Sequence, residues 1–460
     1  MDGWYTMRIL GVSEGFHDAG VALVDKGEIL YAGHSERYSK IKNDPNIHPD
    51  QYFDHDLYAY YEKNWLKNTR RVLFGQEAIK SYKCDWCFDM CKKKTFYHHQ
   101  SHAAAGFHTS PFDKANVLVI DSIGEWDTIS VWEAWTDHYN HAQMRKIKSW
   151  KYPYSLGLFY SAVTQRVGLK PNEDEYILMG MAAYGEPIYD MSELLHRNNH
   201  KGIGDYLPNA KNEDLAASAQ ATFEKELLKI IDKYCTHPNL VYMGGCALNC
   251  AANSKIKDKN IWIMPNPGDA GSSLGAAALA YGRKLKWKDP YLGYNIERNI
   301  NPKKVAQYIV DNSYCGVANG RSEFGPRALG NRSLLADPRR DIKDTVNQIK
   351  QRQLFRPFAP AILEEFASEY FEGPMNEYMQ FVAQAKHDYS SVTHVDGSAR
   401  VQVVKNSCGS VLRPILEEFY ELTGVPMLLN TSLNIKGMPM VNNESDAVMF
   451  QTKYNVKVFY

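Results

Sequence analysis

The sequence predicts a duplicated α/β scaffold of the kind that binds nucleotides, because one pattern, a strand followed by a turn of small and acidic residues, occurs three times. The first is MRILGVSEGFHDAGVALVDKGEILYAGHSE at residues 7–36. Its apolar runs break at Ser13-Glu14-Gly15 and at Lys26-Gly27, which reads as three strands joined by tight turns. The second is ANVLVIDSIGEWDTISVWEAW at residues 115–135, where an apolar run ends in Asp121 and a Gly-bearing turn precedes the next strand. The third is NLVYMGGCALNCAANSKI at residues 239–256: a strand, a Gly-Gly turn, then a helix with Ala and Asn at its start. Turns of this composition present backbone N–H groups to phosphate, and a helix N-terminus behind them adds a favourable dipole. Gly124 and Glu125 in the second stretch, and Gly244, Gly245 and Asn249 in the third, are the candidate nucleotide contacts. An ordinary hairpin explains any one of these turns; the three together argue for the scaffold.

A chain of 460 residues is long for one core, so two domains are expected. Lys plus Arg and Asp plus Glu both number 53, and the net charge points to neither a polyanion nor a membrane surface. No apolar run reaches the roughly 18 residues of a membrane span, and the opening MDGWYTMRILGV lacks the charged-then-apolar pattern of a secretion signal; a cytoplasmic location is expected. The eight cysteines are scattered and read as free thiols. One cluster, CDWCFDMC with Cys84, Cys87 and Cys91, has the start of a zinc site, but no fourth Cys or His follows at finger spacing.

In TFYHHQSHAAAGFH, residues 95–108, His98 and His102 are four apart. On a helix they stand one turn above each other and can converge on one ion. Two ligands do not complete a site, since a catalytic ion commonly takes a third ligand and keeps a position open. Asp269, in the Pro-Gly turn of MPNPGDAGSSLGAAALAYG (264–282), precedes a helix of small residues. A two-His, one-carboxylate set suits iron(II) or another divalent ion. Asp269 also fits a helix N-cap, and the two roles are compatible.

Ten ordered blocks then carry a family resemblance: FHDAGVALVDKGEI with HSERYSKIKNDP, HHQSHAAAGF, EYILMGMAAYGE, GGCALN, NPGDAGSSLGAA, SEFGPRALGNRSLLADPR, IKQRQLFRPFAPAIL, HVDGSARVQVV and GVPMLLNTSLN. In this order, over nearly the whole chain, they resemble the O-carbamoyltransferases that decorate nodulation factors and antibiotics such as tobramycin and cephamycins. The resemblance implies two domains. An actin-like ATPase domain, like that of the threonylcarbamoyl-transfer proteins, would span 1–288 and hold the metal site. A YrdC-like α+β domain would span 289–460, with its last stretch, about 35 residues, as a candidate to pack back on the first domain. The YrdC-like part would join ATP, with Mg(II), and carbamoyl phosphate into carbamoyl-adenylate, and the actin-like part would pass the carbamoyl group to an acceptor hydroxyl. His98, His102 and Asp269 match the family's iron positions. His17 matches its histidine beside the acceptor, where a base is needed because a protonated alcohol is a poor nucleophile; Asp18 adjusts the local polarity.

Residues 319–356 support this independently. Arg321, Arg327, Arg332, Arg339, Arg340, Lys350, Arg352 and Arg356 crowd there, several embedded between apolar residues where a guanidinium is costly unless it meets an anion. Arg forks suit phosphate oxygens and Lys350 offers a compact charge. Arg327, Arg332 and Arg356 are the candidate substrate contacts, with Lys350 catalytic and Asn430 and Ser432 of the NTSLN segment as polar partners. Two positions depart from the family pattern: Ser122 stands where Gly is common, and Ile177 where a basic residue is common.

For the acceptor, residues 61–94 hold nine Lys/Arg against four Asp/Glu, interleaved with Tyr61, Trp65, Phe74, Tyr82, Trp86 and Phe88. Cations beside stacking rings suit a nucleic acid, and a base within a duplex would have to be flipped out to reach the metal. The same stretch also reads as a solvated helix face with a core stripe. The Lys-, Asn- and Tyr-rich composition, with 30 Tyr, resembles phage proteins. The expected acceptor is 5-hydroxymethylcytosine in DNA, in the host cytoplasm for a phage-encoded chain. A sugar-like metabolite is the alternative, and a non-catalytic regulator that binds nucleotide or metal is a third reading. A homodimer is the expected assembly.

Overall fold

Three strands form at the start, as the turn signals predict: β1 (Arg8–Ser13), β2 (Gly20–Asp25) and β3 (Glu28–His34), paired antiparallel in sequence. The computed structural model describes residues 7–73, 75 and 92–460. The cysteine cluster Cys84, Cys87 and Cys91, and Phe74, Tyr82, Trp86 and Phe88 of the basic stretch, lie outside the described residues. β4 (Leu57–Tyr60) and β5 (Lys92–Thr95) add to β1 in parallel, giving the sheet order β3-β2-β1-β4-β5. A second sheet repeats the plan. β6 (Lys114–Ile120), β7 (Asp127–Thr136) and β8 (Ala142–Lys151) run antiparallel, and β9 (Asn239–Met243) and β10 (Asn260–Trp262) add in parallel on the other side of β6. The order is β10-β9-β6-β7-β8, the same arrangement of three antiparallel and two parallel strands. This duplicated sheet is the actin-like ATPase fold. The third sequence recurrence is therefore the parallel strand of the second sheet, followed by a short 3-10 turn Gly245–Leu248 and the four-residue helix Cys250–Asn253.

β1 and β2 are buried on both faces, which is why their apolar runs are continuous and do not alternate. What covers them is the helix Ser272–Tyr281, apolar nearly all round and almost entirely buried. Its small residues allow backbone contact with the helix His98–Thr109: a Cβ at Gly275 would lie 1.8 Å from the Ser101 carbonyl oxygen.

The chain divides into two units, Met1–Ser35 with Asn43–Lys288 and Glu36–Lys42 with Asp289–Tyr460. The segment Glu36–Lys42, which the sequence reading keeps in the first domain, belongs to the second unit. The buried Arg37 guanidinium donates to the Gly325 carbonyl at 2.8 Å, and Lys40 pairs with Asp446. The second unit is α+β. Its strands are β11 (Tyr291–Ile296), β12 (Tyr314–Ala318), β13 (Gly320–Glu323), β14 (Arg332–Ala336), β15 (Ala359–Leu363), β16 (Phe371–Glu372), β17 (Ala383–Ala385), β18 (Ser398–Ala399), β19 (Gln402–Val404), β20 (Met427–Ser432) and β21 (Val458–Phe459). A mixed six-stranded sheet, β19-β15-β20-β14-β12-β21, packs Leu334, Ile362 and Leu428 into one core with Phe419 of the helix Leu412–Thr423. The last stretch of chain supplies β20 and β21 to this sheet; it builds the second unit, where the sequence reading offers a return to the first.

Candidate active site: a four-ligand metal centre

His98 and His102 open the helix His98–Thr109 and are fully buried. Asp269 enters from the turn just before the helix Ser272–Tyr281, and the contact at Gly275 holds these two helices in register. Asp121 enters from the residue after β6, the central strand of its sheet. Nε2 of His98 lies 3.0 Å from Asp121 Oδ2, 3.1 Å from Nε2 of His102 and 3.4 Å from Asp269 Oδ1. Nε2 of His102 lies 3.2 Å from Asp269 Oδ1 and 3.4 Å from Asp121 Oδ2. The four ligand atoms all fall within 4.8 Å of one another.

The other ring nitrogens decide what this can hold. His102 Nδ1 donates to the Pro267 carbonyl at 3.0 Å and His98 Nδ1 to Glu62 Oε2 at 3.3 Å. Each neutral ring then presents its Nε2 lone pair inward, as a metal ligand does. Two lone pairs 3.1 Å apart, faced by two carboxylates, repel unless positive charge lies among them. The titration directions agree. Burial opposes charge on all four groups, yet the Asp269 charge and bonds to Asp121 and Asp269 hold His98 well above the usual imidazole range. The His98 charge and bonds to both rings hold Asp269 well below the usual carboxylate range. The residues fit a divalent cation with N and O donors.

His17 stands beside this cluster, Nδ1 at 3.0 Å from Asp18 Oδ2 and Nε2 at 3.9 Å from Asp269 Oδ2. Burial lowers its pKa, but the Asp18 bond and the Asp269 charge raise it to about 9, so the ring favours its proton where a base is expected. Phe16, His17, Ser122, Leu158, His200 and the two aspartates line a cavity of about 70 Å³ over the cluster.

The turn residues singled out for nucleotide serve the cluster's frame. The Glu125 carboxylate, expected from sequence as a nucleotide contact, accepts the backbone N–H of His98 at 3.0 Å and of Lys63 at 2.8 Å, capping the helix that carries His98. Gly124 packs its Cα against His98 and His99, where a Cβ would sit 3.1 Å from both rings. Gly244 has φ +90°, and a Cβ there would meet the Ile120 carbonyl at 2.1 Å; Gly245 lies against Asp121. Asn249 caps the short helix and exchanges amide bonds with Gln220, another structural use. Of the two departures, Ser122 donates its N–H to Asp121 Oδ1 at 2.8 Å, and Ile177 is buried at 1% exposure, a place where a charged side chain would be costly.

Sequence reasoning missed three residues here. Asp121 is one; its only signal was an apolar run ending in an acid at the mouth of a turn. Lys67 and Arg70, on the helix Asn64–Leu73, are counted among the surface cations of the basic stretch but turn inward. Lys67 pairs with Glu62 at 2.8 Å, and the Arg70 Nε is buried without a hydrogen-bond partner. Burial, and then the neighbouring Arg71 charge, lower the Arg70 pKa to about 10.

In the second unit, Lys350 is buried and donates to the Ser432 carbonyl and Oγ and to the Asn434 carbonyl and Oδ1, all neutral oxygens. Burial pulls its pKa well down, and the charges of Arg352 and Arg356 add to the effect. Ser432 Oγ donates to Asn434 Oδ1 at 2.6 Å. Asn430 donates to Gln402 and to the Ala328 carbonyl, leaving its Oδ1 buried without a partner. Arg327 and Arg356 are half-buried. Arg332 is corrected: its guanidinium, fully buried, donates to the carbonyls of Tyr294, Asn319, Gly320, Asn331 and Asn442, so it ties loops together and has no fork left for an anion. Arg400, of the quoted HVDGSARVQVV block, was not singled out, although its Nε is buried without a partner. No helix among the described residues is long and apolar enough to cross a membrane.

A carboxylate-and-imidazole cluster thus lies on a duplicated actin-like sheet, and an α+β unit with a buried lysine makes up the rest of the chain. The family Carbamoyltransferase N-terminus matches residues 51–209 and 196–278, and Carbamoyltransferase C-terminus matches residues 306–460. A protein of Methanocaldococcus jannaschii is 32% identical over 96% of this chain and 96% of its own length, and one of Synechocystis is 31% identical over 96% and 93%. The nodulation protein NolNO of Sinorhizobium fredii is 29% identical over 94% of this chain and 76% of its own. Among solved structures, HypF of T. kodakarensis aligns over 60% of this chain and 48% of its own at 12% identity and a TM-score of 0.36. The chain belongs to the carbamoyltransferase family and is a transferase.

Proposed function

We propose that the protein is an ATP-dependent O-carbamoyltransferase acting on the hydroxymethyl group of 5-hydroxymethylcytosine in DNA. The observation that carries the transfer chemistry is the convergence of His98, His102, Asp121 and Asp269 on one point with His17 at its edge. In the second unit, carbamoyl phosphate loses its phosphate to water, and the resulting carbamate oxygen attacks the α-phosphorus of Mg(II)-bound ATP; pyrophosphate leaves and carbamoyl-adenylate forms. Lys350, Arg327 and Arg356, with Arg400 of the same unit, would balance those anions. In the first unit, Fe(II) held by the four ligands would supply Lewis acidity beside the adenylate. Lys67 and Arg70, buried cations of which Arg70 keeps an Nε without a partner, would hold its phosphate. His17 would take the proton of the acceptor hydroxyl as oxygen attacks the carbamoyl carbon and AMP departs. An Asp269 carboxylate engaged with a cation no longer raises His17, which moves the ring toward the neutral form this step needs while the Asp18 bond still favours its proton.

Support for DNA comes from exposed rings and cations between residues 63 and 97. Trp65 is 68% exposed and Tyr97 53%, Lys63 lies over the Tyr97 ring, and Lys92 and Lys93 are exposed on the edge strand β5. Such rings stack bases and such cations neutralise phosphates. The inward turn of Lys67 and Arg70 favours the second reading, a small-molecule hydroxyl, because it removes two charges from the surface excess. The two separate when the protein is given carbamoyl phosphate, ATP and either hydroxymethylated duplex or a panel of aminoglycosides, and the mass gain of one carbamoyl group is sought. For DNA, binding weakens steeply with salt, and replacing Lys92, Lys93 and Lys94 with Ser flattens that slope by up to about three contacts. Gain only on an aminoglycoside, with no salt-sensitive DNA complex, would overturn the DNA reading and leave the transfer chemistry standing.

A further inference from the structure

The two histidines are aimed by different devices. His102 Nδ1 rests on a backbone carbonyl, whereas His98 Nδ1 rests on the Glu62 carboxylate. Glu62 and its partner Lys67 are 2% and 3% exposed. Burying such a pair desolvates two charges, and apolar residues of similar volume commonly stabilise a fold as well or better. Stability therefore does not explain why the pair lies here. Its place in the chain of contacts does: Lys67 Nζ to Glu62 Oε2, and the same oxygen to the ring of a metal ligand.

We infer that Glu62 is a positioning residue of the metal centre, fixing the tautomer and tilt of His98 and strengthening its Nε2 as a donor. Lys67 holds the carboxylate in the rotamer that does this. A carboxylate behind an imidazole draws its Nδ1 proton and makes Nε2 more basic, an effect a neutral carbonyl exerts more weakly. The two histidines are thus unequal, His98 the stronger donor and the one whose aim depends on a side chain. The inference rests on reading the four-residue cluster as a metal centre.

Co(II) serves as the probe on the full chain, with affinity read by competition against a chromophoric chelator and ligand geometry by the visible bands of the bound ion. Wild type should bind one Co(II). Glu62→Gln keeps an acceptor for the Nδ1 proton but loses the charge, and should bind about tenfold more weakly; Glu62→Ala should lose up to about 100-fold, with shifted bands in both. Ile230→Ala, a core truncation on a helix that carries no ligand, should leave affinity and bands unchanged, separating positioning from general loosening. If Glu62→Gln does not fold, the double variant Glu62→Gln, Lys67→Met, which has no stranded ammonium, decides in its place. Wild-type affinity and bands in the Glu62 variants would overturn the role of Glu62 alone. Failure of the wild type to bind Co(II) would overturn the metal reading, and this inference with it.

Discussion

The His98 cluster of the first unit gathers negative charge, and the segment around Lys350 in the second gathers positive charge. Around His98 and His102 stand Asp121 and Asp269, and what this cluster calls for is a cation. Around Lys350 stand neutral oxygens, with Arg352 and Arg356 as the charges acting on it. The charges at the two centres are opposite in sign. The contrast teaches that burial alone does not mark a functional charge. Arg332 is as buried as any of the described residues, yet five carbonyls satisfy it and nothing further is required. An unmet sign is the more informative observation.

Removing a ligand should break the comparison most completely. His102→Ala should lose the ion, by more than the roughly 100-fold typical of an outer-shell change, and should abolish carbamoyl transfer. Carbamoyl-phosphate-dependent pyrophosphate release should persist. Full metal content by elemental analysis in that variant would contradict the assignment. Lys350→Glu should do the converse, stopping pyrophosphate release while the metal stays bound, because it reverses the sign where an anion has to enter. His17→Asn sharpens the division, since it should spare pyrophosphate release and block product; equal loss of release in both variants would argue against two separate half-reactions. The smallest effect is structural. Gly275→Ala forces a methyl against the Ser101 carbonyl, and should lower the unfolding free energy by about 1–3 kcal/mol in denaturant titration, loosening metal binding without touching pyrophosphate release.

Much of this was legible in the sequence where the signal is local. The spacing of His98 and His102 defines one helix face, and Asp269 announces itself by preceding a helix of small residues. The repeated strand-and-turn pattern foreshadows the duplicated sheet. The rest depends on distant partners. Asp121 looks like any turn acid until β6 and the metal helix meet. Glu125 caps a helix that begins 27 residues earlier in the chain, and no local pattern separates that role from phosphate binding. Arg332 shows the limit from the other side: an arginine among apolar residues needs acceptors, but the sequence does not say whether they are phosphates or carbonyls. The lent segment Glu36–Lys42 is fixed by Arg37 and Gly325, 288 positions apart.

The backbone contact at Gly275 has a consequence for how such a centre can change over time. His98 and His102 sit on one of the two helices it joins, and Asp269 on the turn leading into the other. With no side chain between them, there is no packing layer whose residues could be enlarged or trimmed to widen or narrow the gap between ligands. Ionic radius is accommodated by a spacing that drift in the surrounding core leaves nearly untouched. A descendant of this protein that came to prefer a different ion would have to change the identity of a ligand, most readily Asp121, which hangs from a strand end and not from either helix. Preference for a metal would then shift in single substitutions and not by gradual repacking.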